Sequence, residues 1–113
     1  MALNTKFKIE LEKDEKKKEV EIVIQEINKA QLANITCECA GKNGSIRVGD
    51  FITAAVENGI IISPKNLIEQ LEDADNGLVL YAEIFKEVNR FCSNPKRYVL
   101  LQKESELKGN KQN

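Results

Sequence analysis

The sequence predicts a single α+β domain: an N-terminal two-stranded antiparallel hairpin followed by a bundle of four to five helices. Three observations carry this reading. Residues 5–12 and 19–25 alternate apolar and charged side chains with a period of two. Helical stripes follow from residue 28 onward, punctuated by Gly41, Gly59, Pro64 and Pro95. A chain of 113 residues with 42% hydrophobic content holds one packed core and no second.

In the first strand Phe7, Ile9 and Leu11 share one face, and Lys6, Lys8, Glu10 and Glu12 the other. In the second, Val20, Ile22 and Ile24 lie opposite the outward Glu19 and Glu21. The polar run 13–18 joins them as a solvated tip whose lysines also blunt the strand edges. Two registers compete. Leu11 opposite Val20 sets Glu10 against Glu21 and Glu12 against Glu19, which is repulsive. Ile9 opposite Val20 gives Lys8–Glu21 and Glu12–Lys17, at the cost of a tight Asp14-Glu15 turn without glycine. The second register is preferred.

A first helix starts with Asn28 as N-cap and runs to about Ala40, where Gly41 stops it; its apolar positions are Ala30, Ala33, Ile35 and Cys37. Residues 41–45 are a loop. The segment 49–58 places Phe51, Ile52, Ala55 and Val56 on a helical stripe with Gly59 as its C-terminal stop. Ile60, Ile61 and Ile62 make a short buried connector. Ser63-Pro64 reads as a helix restart, Ser as N-cap and Pro at the first helical position. That third helix carries Leu67, Ile68 and Leu71. It ends in the acidic turn Glu72, Asp73, Ala74, Asp75, whose carboxylates are expected to cap the next helix.

Residues 76–93 form the most informative element. On a helical projection Leu78, Leu80, Tyr81, Ala82, Ile84, Phe85, Val88, Phe91 and Cys92 fall within an arc of roughly 200°. An arc this wide belongs to a central helix packed on two sides, which the small domain favours, or to one that offers a flank to a partner. Asn94-Pro95 breaks it, and residues 96–106 give a final helix with Tyr98, Val99, Leu101 and Gln102 along one side. The domain is read as residues 1–106, and 107–113 as a disordered polar tail. The expected core is Phe7, Ile9, Ile22, Phe51, Val56, Ile61, Leu67, Leu71, Phe85 and Val88.

Composition excludes several function classes. With 17 Lys+Arg against 18 Asp+Glu, the net charge of -1 does not suit a protein that neutralises a polyanion. Histidine is absent, so the familiar Ser or Cys triads have no base and the commonest metal ligand is missing. Cys37 and Cys39, two apart on a helix, point about 200° away from each other and cannot share an ion. An odd cysteine count without a signal segment predicts free, structural thiols and a cytoplasmic protein. No apolar run approaches the ~20 residues of a membrane span. A helix-turn-helix over residues 51–70 fails because the turn is too long and Glu69, Glu72 and Asp73 would face the groove. Residues 41–45 lack the spacing of a phosphate loop, and the carboxylates at 72–75 sit in a polar turn rather than a shielded site. The expectation is no enzyme, no cofactor, no metal, no nucleic acid and no membrane.

Charge is nonetheless uneven. Between residues 66 and 85 stand Glu69, Glu72, Asp73, Asp75 and Glu83 with no basic residue. From 95 onward Lys96, Arg97, Lys103, Lys108 and Lys111 outnumber Glu104 and Glu106. This is ordinary solvated surface, or it is a means of head-to-tail self-association.

The order of elements resembles the tail assembly chaperones of long-tailed bacteriophages and prophages, the short product encoded upstream of the tape-measure protein. The resemblance covers roughly residues 6–91. It rests on the charged hairpin, the segment of Phe51, Ile52, Ala55, Val56, Gly59 and Ile60–Ile61–Ile62–Ser63–Pro64, and the apolar helix ending near Phe91. It implies a non-enzymatic protein of the bacterial host cytoplasm that binds the tape-measure protein, self-associates and recruits tail-tube subunits. Candidate partner contacts are the flank of the central helix (Leu80, Ile84, Phe91) and the stripe at Tyr98, Val99 and Leu101. The same residues serve equally as core. A small interaction or regulatory module of a mobile element is the alternative, and a DNA-binding regulator a lesser one.

Overall fold

The computed structural model describes residues 3–111, with side chains as far as residue 105. Strands β1 (Asn4–Lys13) and β2 (Lys16–Gln25) form the expected antiparallel hairpin in the preferred register, with Ile9 opposite Val20, Lys8 opposite Glu21 and Glu12 opposite Lys17. Asp14 (φ 51) and Glu15 (φ 66) both take left-handed backbone angles, the signature of a two-residue type I′ turn. The register also sets Glu10 directly against Glu19. Diagonal ion pairs offset this repulsion: Lys8–Glu19 at 3.1 Å, Lys17–Glu10 at 3.5 Å and Lys6–Glu21 at 3.4 Å.

The sheet has a third strand. Ile61–Ser63 (β3) pairs antiparallel with β2, giving the order β1-β2-β3, so the isoleucine connector expected from sequence is an edge strand. Its β-branched residues suit a pleated edge, and the Gln25 N–H donates to the Ile60 carbonyl at 2.8 Å to seat it.

Helix α1 (Lys29–Glu38) is capped by the Asn28 side chain, which accepts from the Gln31 N–H at 2.7 Å. Its inward stripe is Leu32, Ile35, Thr36 and Cys39; Ala30, Ala33 and Cys37, expected on the apolar side, are exposed. Helix α2 (Val48–Glu57) buries Phe51, Ile52 and Ala55 and half-buries Val56. It ends at Gly59 (φ 78), where the Ile60 N–H reaches back to the Ala55 carbonyl at 2.9 Å, a Schellman stop with Ile60 buried beyond it.

Helix α3 (Leu67–Asp73) begins later than Ser63-Pro64 suggested. Ser63 belongs to the sheet, opposite Val23, and a residue committed to a strand cannot open a helix. Helix α4 (Gly77–Ser93) is the central element, touching β1, α2, α3 and α5 (Pro95–Lys111). Helix α5 continues past the end expected at 106, and residues 112 and 113 of the expected tail lie outside the described residues.

One core joins the inner sheet face to the helices. Of the expected core, Ile9, Ile22, Phe51, Ile61, Leu67, Leu71 and Val88 are buried, whereas Phe7, Val56 and Phe85 are half-buried at its rim. Phe85 meets Phe51 edge-on, ring centroids 5.4 Å apart. No helix among the described residues is long and apolar enough to cross a membrane.

Candidate functional site

The proposed contact residues on α4 and α5 fall largely inside the molecule. Leu80, Ile84, Phe91 and Tyr98 are buried and Val99 is half-buried, whereas Leu101 is exposed at 37%. The wide apolar arc of α4 is therefore consumed by packing on several sides, and its Leu80–Ile84–Phe91 flank is not a docking surface. Tyr98 is held from every direction. Its ring meets Phe91 edge-on at 5.6 Å, the Arg90 guanidinium lies 5.8 Å from its centroid, and its hydroxyl donates to Glu87 Oε2 at 2.8 Å. Desolvation, reinforced by Glu87, pushes its phenol well above the usual tyrosine range.

The apolar surface that remains lies elsewhere on the same helix. Leu78 is 87% exposed and Val79 57% exposed, consecutive residues in the first turn of α4, with Ala82 exposed one turn further on. A second patch is Leu100 with Leu101 on α5, the latter among the contacts expected from sequence, and Ile62 on β3 is a third, smaller one. Leu78 and Ala82 belonged to the apolar arc read from sequence. They sit at its end, and the helical projection carried no signal for which end would face water.

The start of α4 is fixed in space by the acidic turn. Rather than capping the helix, these residues reach back to the hairpin. The Asn76 side-chain amide donates from Nδ2 to the Glu10 carbonyl at 2.9 Å and accepts at Oδ1 from the Glu12 N–H at 3.0 Å. The Asp75 N–H donates to the Glu12 carbonyl at 2.7 Å, and its carboxylate accepts the Asp14 N–H at 3.0 Å. Asp73 pairs with Lys13, whose ammonium is held above its usual pKa by that bond. These contacts satisfy open groups on the free edge of β1, as a neighbouring strand would. At the other end of that edge Gln102 Nε2 donates to the Lys6 carbonyl at 3.1 Å. Leu78 and Val79 are thus displayed on a helix end clamped to the sheet.

The same contacts reduce the charge asymmetry seen in sequence. Asp73 is neutralised by Lys13, while Asp75 and Glu72 keep their charge and accept hydrogen bonds from the Asp14 N–H and, at 3.3 Å, the Tyr81 hydroxyl. The cysteines are free: Cys37 is exposed, Cys39 buried and Cys92 half-buried. Desolvation pushes the Cys92 thiol up to about 11, so it stays protonated at neutral pH. Among the described residues no group of three or more Cys, Asp or Glu side chains converges as a metal cage.

Compared with family models, curated proteins and solved structures, the chain matches none.

Proposed function

We propose that this chain is a non-enzymatic assembly chaperone of a long-tailed phage or prophage, acting in the host cytoplasm. It binds apolar helical segments of the tape-measure protein and brings tail-tube subunits to them, in several copies per partner. The observation that supports this reading is the Leu78–Val79 step. Two large apolar side chains stand in solvent at the clamped start of the central helix. Burying one such side chain against a partner contributes about 1.5–3 kcal/mol, so a small patch repeated over many copies can cover a long apolar chain. The docking surface in this reading is Leu78 and Val79, with Leu100 and Leu101 as a second contact.

Co-expression with a phage tape-measure protein tests this. The expected result is a soluble complex on gel filtration at low salt that is lost in the Leu78→Asp, Val79→Asp double variant while that variant stays folded. If the tape-measure protein is equally soluble alone and no complex forms, the chain is better described as a small interaction module unconnected with tails.

A further inference from the structure

The outer end of the hairpin overhangs α3. The core-facing side of the sheet continues past Ile9 and Val20 into two more cross-strand pairs, Leu11–Lys18 and Lys13–Lys16. Facing them across a cleft of about 580 Å³ are Asn66, the residue that precedes α3, and Gln70 and Asp73 on it. Lys13 and Asp73 both line the cleft and pair with each other, so a carboxylate already sits on a hairpin lysine there. Lys17 also borders the cleft, but its ammonium is engaged by Glu10 at 3.5 Å. Lys16 and Lys18 have no carboxylate partner among the described residues. Two residues apart on one strand face, they stand about 7 Å apart, the spacing of alternate side chains in an extended peptide. Opposite them, Gln70 Nε2 donates to Asn66 Oδ1 at 2.7 Å, and this bond leaves the N–H groups of the Asn66 amide and the side-chain carbonyl of Gln70 available for polar contacts at the cleft wall.

We propose that this cleft binds an extended acidic peptide segment, with alternate carboxylates on Lys16 and Lys18 and intervening polar groups on Asn66 and Gln70. The ligand carries separated single charges rather than a polyphosphate backbone. Asp14 and Asp73 line the same cleft and would repel a continuous anion. The site is separate from Leu78 and Val79 and does not depend on the chaperone reading.

The test uses the full chain, isotope-labelled, titrated with a capped peptide of alternating glutamate and serine. Expected are amide shifts confined to the neighbourhood of Leu11, Lys16, Lys18, Asn66 and Gln70. Affinity should fall about tenfold between low and physiological salt, as screened charge pairs require. The Lys16→Glu, Lys18→Glu variant should lose about tenfold or more with an unchanged thermal melt. The proposal is overturned by absence of shifts at millimolar peptide, by shifts elsewhere, or by equal binding of a glutamine–serine peptide. Tighter binding of oligothymidylate at the same amides also overturns it, in favour of a nucleic-acid site.

Discussion

Gly77 packs directly on Leu71: a Cβ at Gly77 would overlap the Leu71 carbonyl oxygen, so the first residue of α4 has to be glycine for α3 and α4 to meet at this angle. The relation lies between backbones, and no side-chain rotation can relieve it. Gly77→Ala should therefore force the α3–α4 corner apart, at a cost of about 1–3 kcal/mol. Urea unfolding measures this, and an unchanged midpoint would mean that the corner lies open.

Asn76, next in line, joins that corner to the sheet. Asn76→Ala removes both bonds to β1 and should cost about 1–2 kcal/mol, each net hydrogen bond contributing about 0.5–1.5 kcal/mol. The sharper readout is amide exchange. The Glu12 N–H, which donates to Asn76 Oδ1, should lose protection in the variant while the Ile9 and Val20 amides inside the hairpin keep theirs.

These two residues also mark what the sequence could and could not disclose. The hairpin and its register, the Asn28 cap, the Gly59 stop and the extent of α4 all follow from neighbours within a few positions, and each was legible. The third strand was not. Ile61–Ser63 is too short to alternate, and it exists only because β2 offers an open edge far away in sequence. Ser63-Pro64 carried a helix-start signal that this non-local pairing overrode. The role of Asp75 and Asn76 was equally hidden, because their partners lie more than sixty residues upstream. The misplaced contact surface has one cause. A helical projection ranks α4 residues by angle, but only the packing of α2, α3, α5 and β1 decides that Leu80 and Phe91 are inside and Leu78 is out.

The hairpin turn holds a removable strain. Glu15 adopts φ 66, a left-handed angle that costs a non-glycine residue about 1–2 kcal/mol. Asp-Gly is the favoured type I′ pair, so Glu15→Gly should stabilise the domain by about 1 kcal/mol after its own entropy cost. Glu15→Ala should give no such gain. The pair of midpoints in urea separates relief of backbone strain from simple removal of a charge.

Alkaline titration reports on Tyr98. Its phenol is protonated in the folded state well beyond the unfolded value of about 10, so above that pH the unfolded chain binds fewer protons than the native one. Stability should be full below about pH 10 and decline as pH rises further, by up to about 1.4 kcal/mol per unit from this group. Tyr81 is also raised, by desolvation and then by Glu72. With two tyrosines and no tryptophan, phenolate absorbance can be assigned by difference. Tyr98→Phe should remove the later, unfolding-coupled ionisation and flatten the alkaline decline, although losing the Glu87 bond lowers stability at neutral pH.

The contrast between Phe91 and Leu78 is the most direct check on which side of α4 is surface. Phe91 is fully buried and stacked edge-on against Tyr98, so Phe91→Ala should cost about 3–5 kcal/mol. Leu78, at 87% exposure, contributes almost nothing to the isolated fold, and Leu78→Asp should stay within about 0.5 kcal/mol of the parent. Phe85, half-buried against Phe51, should fall between them. A measured cost above 1 kcal/mol for Leu78→Asp would place that side chain in a contact of the free protein and remove it as a docking residue. A neutral Leu78→Asp that abolishes tape-measure binding would instead separate folding from function at a single position. Two residues apart on one helix, Leu78 and Leu80 would then serve solvent-side recognition and core packing respectively.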